Sequence, residues 1–547
     1  MKTKIGLFCE QIIEVGWLLA LIIAPLFFNV YSSRVFEPDK LSLVRTIATF
    51  MLAAAFAHWL EGRRSANVGP RQDAAEAGAL SAIPLVGKAA LFRIPLVVPT
   101  LLLALAYLLS TTTSVVPRTS LWGSYQRLQG TYSTLSYMVI FALLLRYLRR
   151  HAQLQRLLFV VILTSVPISL YGLLQHYGLD PLPWGGDVTL RVASNMGNPI
   201  FVAAYVILVI PLTLAQILYN LDRALQECDR ASRLVVYGVF GAVILLIVWT
   251  WAALGFGRGL LIGVLGLLLF LLMGVYLRRP LAPFLLFGGY GLALAAQVTM
   301  LFFSQSRGPF LGIVAGLFFF ALLIAFIHRW RKALALGIAG ALLVLSFLVV
   351  VNLPASPLRG FRQLPYVGRL GQVFEIGGGT GKVRVLIWQG AVEMIRADPL
   401  RALIGYGPES MYVAYNPYYP PELAHYEARN ASPDRSHNET FDALITAGAA
   451  GLLLYLLLFG STLYYGLRWL GLIRSPQQRR FFVVCAMGGL LLGLAAPILL
   501  DGGNWRFVGV GLPMGLVAGL SVYLALSALR ATWGTVGSRP SADRMAI

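Results

Sequence analysis

Runs of about 18 to 25 apolar residues recur along nearly the whole chain, each long enough as a helix to cross roughly 30 Å of hydrocarbon. No other feature restricts the fold so severely. Inside lipid every backbone amide needs a partner within the protein, which leaves helices or closed barrels. Barrel strands would alternate apolar and polar residues, and these runs do not. Composition agrees: the 547 residues are 58% hydrophobic and only 12% charged, with a mean hydropathy of +0.73, unlike a soluble multi-domain protein. The sequence therefore predicts an all-α integral membrane protein.

About fourteen transmembrane helices are expected, centred near residues 20, 52, 101, 141, 164, 208, 243, 267, 291, 318, 343, 453, 490 and 517. The first run, Ile12 to Val30, is too long for a signal-peptide core and lacks an Ala-x-Ala cleavage site, so it reads as a retained helix. More than half of the 44 Lys and Arg fall on the cytoplasmic side if both termini are cytoplasmic, in the two ends and in connections such as 149–151, 328–332 and 479–481. The net charge of +21 is then largely a topology signal, and no basic soluble domain is present to bind nucleic acid. Cys9, Cys228 and Cys485 fall on the cytoplasmic side or within a span and imply neither a disulfide nor a thiolate metal site.

One connection is long. Residues 354–436 are rich in Pro, Tyr, Gly and charge, and the same topology makes them an extracytoplasmic loop carrying short helices. The expected organisation is an N-terminal bundle over 1–353 with about eleven spans, the loop at 354–436, C-terminal helices over 437–530 with about three spans, and a cytoplasmic tail at 531–547. Within the loop, V-R-V-L-I-W-Q-G-A-V-E-M-I-R-A (383–397) repeats at helical spacing and puts Arg384, Trp388, Ala391 and Ile395 on one side, stopping before Pro399. The stretches G-Y-G-P-E (405–409) and Y-N-P-Y-Y-P-P (415–421) read as ordered turns.

Four arginines and a histidine are candidates for chemistry. Arg258 in G-R-G-L-L-I-G (257–263) and Arg307 in S-R-G-P-F-L-G (306–312) each open an inward-running span. A helix start already carries about half a positive charge, so a cation there calls for an anion. Free amides, glycine and guanidinium together suit a phosphate, the alternative being an arginine that snorkels to lipid headgroups.

Ser436 and Glu439 match a capping box that would begin a helix at His437. The positive helix end and nearby Arg435 would lower the imidazole pKa, with Asp434 acting the other way, and a neutral imidazole can take a proton from a hydroxyl. A purely structural role in the loop is the alternative. Arg435 is also a candidate substrate ligand. Asp434, Glu439 and Asp442 surround His437, but no second histidine stands at ligand spacing, so no metal or other cofactor is expected. No phosphate-binding G-x-x-x-x-G-K-[ST] loop occurs, and the glycine-rich stretch 375–381 follows no strand. Arg127, Arg191, Asn195, Asn198 and Asp501 are secondary polar candidates on the same face.

Together these pieces resemble a known family. In order they are S-R-G opening a span (306–308), a loop with R-x-x-x-W-x-x-A (Arg384 to Ala391), Pro399 before Gly405-x-Gly407, and H-N-x-x-x-x-x-L-x-x-x-G (His437 to Gly448). From about residue 300 to 460 this is similar to the O-antigen ligase and polymerase superfamily. The resemblance implies a C-type glycosyltransferase that moves a glycan from an undecaprenyl pyrophosphate carrier to an acceptor hydroxyl at the outer face of the bacterial inner membrane, without metal. Its implied partners are a lipid-linked oligosaccharide donor, a glycan, glycolipid or protein acceptor, and membrane lipid. Carried over by motif, Arg307 and Arg384 would hold the pyrophosphate and His437 would activate the acceptor. The second Arg-Gly opening departs from the family pattern and leaves the role of Arg258 open. A polymerase or a protein O-oligosaccharyltransferase would use the same donor. A polytopic transporter should carry ionisable residues at mid-span, whereas the notable charges here lie at the outer ends.

Overall fold

A computed structural model describes residues 3–32, 36–66, 94–327, 331–353, 355–372, 379–427 and 431–533. Among the described residues it is all-helical, and twelve helices are long and apolar enough to cross a membrane. These are α1 (Lys4–Leu26), α2 (Pro38–Ala66), α6 (His151–His176), α7 (Pro199–Leu225), α8 (Arg230–Ala253), α9 (Phe256–Tyr276), α10 (Leu281–Ser304), α11 (Arg307–Ile327), α12 (Arg331–Asn352), α16 (Glu439–Trp469), α17 (Pro476–Leu500) and α18 (Val508–Trp533). Each falls on an expected centre. The other two expected spans are α3 (Val97–Thr112) and α5 (Thr131–Tyr147), of 16 and 17 residues. At 1.5 Å per residue they reach only about 25 Å, so the expected count of fourteen becomes twelve. Between them lies the short α4 (Pro117–Trp122), and α13 (Gly379–Ala397), α14 (Pro399–Ile404) and α15 (Met411–Ala414) follow α12.

The chain divides into two compact units. The first comprises Met1–Trp17, Leu41–Arg150 and Glu375–Ile547. In it α17 and α18 pack backbone to backbone: a Cβ on Gly489, Gly493, Gly511, Gly515 or Gly519 would collide with the facing helix, the close approach that small residues permit where lipid offers no hydrophobic drive. Helix α13 buries Leu386, Ile387, Ala391 and Met394 against Tyr406, Met411, Tyr415 and Leu423, a cluster that Ile445 of α16 completes, so this part of the long connection is packed on the helix that follows it. The expected helix at 383–397 is present and stops before Pro399 as read. Its buried face differs from the expected four-residue stripe: Val385, Leu386, Ile387 and Met394 are buried beside Trp388 and Ala391, Val385 and Trp388 pack on Phe441, and Arg384 is exposed.

The second unit comprises Leu18–Lys40 and His151–Phe374. Its centre is α10, whose most apolar stretch is 67% buried, far more than any other span. The fully buried Gln297 amide donates to Ser165 Oγ at 2.7 Å and Thr213 Oγ1 at 3.0 Å, tying α10 to α6 and α7. In the secondary group, Asn195 donates to the carbonyls of Pro25 and Leu26 and Asn198 caps α7. Both are structural.

Candidate active site

In the first unit the chemistry gathers around His437, and the local sequence explains its posture. The expected capping box does not form. Ser436 Oγ instead donates to Asp442 Oδ1 at 2.7 Å, and the same oxygen accepts the Ser436 amide at 2.8 Å. The N-cap is Asn438, whose side chain accepts the Thr440 and Phe441 amides, so α16 begins at Glu439. His437 is left on the turn before the helix with φ 54°, a left-handed conformation unusual for a non-glycine residue. Three contacts hold that turn in place. Trp388 Nε1 donates to the Ser436 carbonyl at 2.9 Å, Thr440 Oγ1 donates to the Gly509 carbonyl at 3.2 Å, and a Cβ on Gly509 would collide with the Asn438 amide. Strain of this kind persists only where surrounding contacts over-determine it.

The imidazole is exposed, yet its pKa is depressed by the desolvating walls around it and by Arg384, with Arg127 adding to the effect and Asp434 and Asp442 opposing it. Arg435, to which the sequence assigned this lowering, instead donates to the Gln129 side-chain amide. Arg127 Nε pairs with Asp434 Oδ2 at 2.5 Å. Arg384 and Trp388 stand one turn apart on α13, so a single helix supplies both the charge that bears on the ring and the indole that anchors its turn.

Helix α16 is broken at Gly448, where φ 66° and ψ −171° interrupt the helical path. The carbonyls freed upstream are taken by the long connection: Ile445 accepts the Tyr406 amide at 2.7 Å and Thr446 accepts the Gly407 amide at 3.2 Å, with Ser110 Oγ also donating to Thr446. A side chain at Gly448 would collide with the Leu403 carbonyl, and one at Gly407 with Ser114 and Ser120. The break folds the helix. Tyr455 hydrogen-bonds Glu439, sixteen residues earlier, which an unbroken helix would hold about 24 Å away.

Behind this seam Arg45 of α2 is buried and donates to Ser133 Oγ at 2.9 Å and to the carbonyls of Trp122 and Leu128 at 2.6 and 2.5 Å. Glu409 receives the Ser124 and Gln129 amides on the same loop. Arg45 and Glu409 thus fix the segment that presents Arg127 and Gln129. Neither was singled out in the sequence, where Arg45 reads as one cation near a span end.

In the second unit Arg307 opens α11 as expected and donates to the Gln372 carbonyl. It does not stand alone. Arg369, on a 3₁₀ turn over Gly368–Gln372, donates to the Gln305 carbonyl at 3.3 Å, and its pKa is pushed down to about 10 by burial and by the charges of Arg191 and Arg307. Arg191 is depressed by burial and by Arg307, and its Nε is buried without a hydrogen-bond partner. Burial and like charge on Arg191 and Arg369, with no carboxylate among the groups bearing on them within the described residues, make this trio a candidate anion site. Arg258 is exposed on the first turn of α9 and is not among those groups. Most of the glycine-rich stretch at 375–381 lies outside the described residues. Asp501 forms a two-point ion pair with Arg506 and is occupied structurally.

The fold is that of a multi-pass membrane protein, with candidate site residues in each of its two units. Residues 291–456 match the family model described as O-antigen ligase, and over that stretch the chain is similar to this family. The match covers α10 to the first part of α16 and includes Arg307, Arg369, Arg384 and His437. Members of this family carry out glycan transfer of the ligase or polymerase type on lipid-linked substrates. No curated protein and no solved structure matches the chain.

Proposed function

We propose that this protein transfers a glycan from an undecaprenyl pyrophosphate carrier to an acceptor hydroxyl at the outer face of the inner membrane, without a metal, and that both termini are cytoplasmic. The observation that carries the reading is the cluster of Arg191, Arg307 and Arg369, three cations held where only an anion relieves their repulsion. Arg307 and its two neighbours hold the diphosphate, and Arg384 and Arg435 contribute to binding near the histidine. A neutral imidazole nitrogen of His437 takes the proton of the acceptor hydroxyl, whose oxygen attacks the anomeric carbon. The bond from that carbon to the diphosphate oxygen breaks, and the leaving diphosphate carries its charge to the guanidiniums. A single displacement inverts the anomeric centre.

The test is transfer by the purified full chain in lipid, with lipid-linked donor and candidate acceptors in EDTA. Transfer should survive chelation and fall by at least roughly a hundredfold in His437→Ala and Arg307→Ala, the scale of losing a general base or a charge-stabilising group. Full activity in His437→Ala would reject the assigned base.

A further inference from the structure

The first unit contains a cavity of about 350 Å³ that the chemistry assigned so far does not use. Its walls come from α3, α5, the turn at 407–411, the residues just before and after His437, and both halves of the broken α16. Four carboxylates line it, from Glu409, Asp434, Glu439 and Asp442, against one guanidinium, that of Arg435. Three of the four are committed: Glu409 to the Ser124 and Gln129 amides, Asp434 to Arg127 and Asp442 to Ser436. Among the described residues Glu439 has the Tyr455 hydroxyl as its hydrogen-bond partner, which leaves acceptor capacity for a guest, since a carboxylate offers about four lone-pair sites. Tyr107, Tyr137 and Leu103 supply flat apolar wall.

We propose that this cavity binds the terminal sugar of the acceptor, that the sugar is uncharged, and that Glu439 is the positioning residue that accepts hydrogen bonds from its hydroxyls. The proposal rests on the reading of His437 as the base and names the acceptor class for that site. The volume lies at the small end of ligand pockets, about 300–1,000 Å³, and admits a sugar ring or two but no lipid body. Carboxylate acceptors, phenol donors and aromatic faces together suit a pyranose, which offers hydroxyls at its edge and C–H groups on its faces. The excess of negative charge repels a phosphorylated or carboxylated sugar. The two substrates are therefore sorted by charge: the diphosphate donor to the arginines, the neutral acceptor to the carboxylates.

The decisive experiment uses the full chain in lipid nanodiscs carrying His437→Ala, so that binding is read without turnover. It is probed with a printed array of neutral oligosaccharides and their phosphorylated and uronic-acid counterparts. Neutral glycans should bind, their charged counterparts at least about tenfold more weakly, and Glu439→Gln should weaken neutral binding about tenfold, the scale of one charge-assisted hydrogen bond. Glu439→Asp, with the charge retained, should recover part of that loss, and thermal melting of each variant separates binding from misfolding. In the otherwise native chain Glu439→Gln should raise the acceptor KM and leave the donor KM in place. Preferential binding of phosphorylated glycans, no glycan binding at all, or binding indifferent to Glu439 overturns the proposal. A chain that binds neutral glycans through Glu439 but never cleaves the lipid-linked donor would instead sink the transferase reading and leave the cavity assignment standing.

Discussion

At the scale of single residues, the proposed transfer turns on the charge state of one imidazole. Burial and Arg384 hold the His437 pKa below its ordinary value near 6.5, so the ring is neutral at working pH and becomes useless as a base only when acid protonates it. The acidic limb of kcat/KM should lie below that value. Arg384→Ala removes a cation that disfavours the charged ring, so the pKa rises and the limb moves to higher pH. Asp434→Asn removes a carboxylate that favours the charged ring, and the limb moves lower. Rate profiles of the three proteins between pH 4 and 8 check both signs, and a limb that moves the same way in both variants would show that another group is titrating. The placement of His437 and Arg307 beside helix starts was legible because each sits in a short motif ahead of an apolar run. Arg369 was not, since its segment has no periodicity and its meaning comes from Arg191, more than a hundred residues away in sequence. The capping box misled for a related reason: Asp442, six residues on, competes for Ser436 more effectively than the helix amides do.

Among elements, α16 departs most from what an apolar run suggests. Its spacing through A-G-A-A-G is compatible with continuous helix, and nothing local marks the break. The cause is tertiary: amides of Tyr406 and Gly407 occupy carbonyls near Gly448, and only a residue without Cβ tolerates both φ 66° and the Leu403 carbonyl beside it. Gly448→Ala should therefore destabilise the protein by about 1–3 kcal/mol or more through strain alone. Gly460→Ala is the control. It lies in a regular stretch of the same helix with open space around its α-carbon and should be neutral or stabilising by up to about 1 kcal/mol. Melting temperature and protease resistance of segment 399–411 report on both. Equal effects at the two positions would argue that the break is not needed. The short α3 and α5 were overcounted as spans because an apolar run shows composition, whereas helix length is set by where the chain turns.

For the molecule as a whole, twelve spans were readable because bilayer thickness fixes how many apolar residues a crossing helix needs, independently of what it packs against. The proposed orientation, with both termini cytoplasmic, is open to direct test. With Cys9, Cys228 and Cys485 replaced, a cysteine at Tyr426 should react with an impermeant maleimide added to intact spheroplasts, whereas one at Gln477, on the first turn of α17, should react only after permeabilisation. The reverse pattern would put the histidine on the wrong side of the membrane for a translocated donor.

The seam between the long connection and the broken helix also bears on modularity. Grafting the 354–436 segment onto a relative's membrane helices would strand the Tyr406 and Gly407 amides unless the host offered a matching break. Functional chimaeras should thus arise only when residues through Gly451 travel with the graft, and insertions or deletions between such proteins should avoid 403–407 while accumulating elsewhere in the connection.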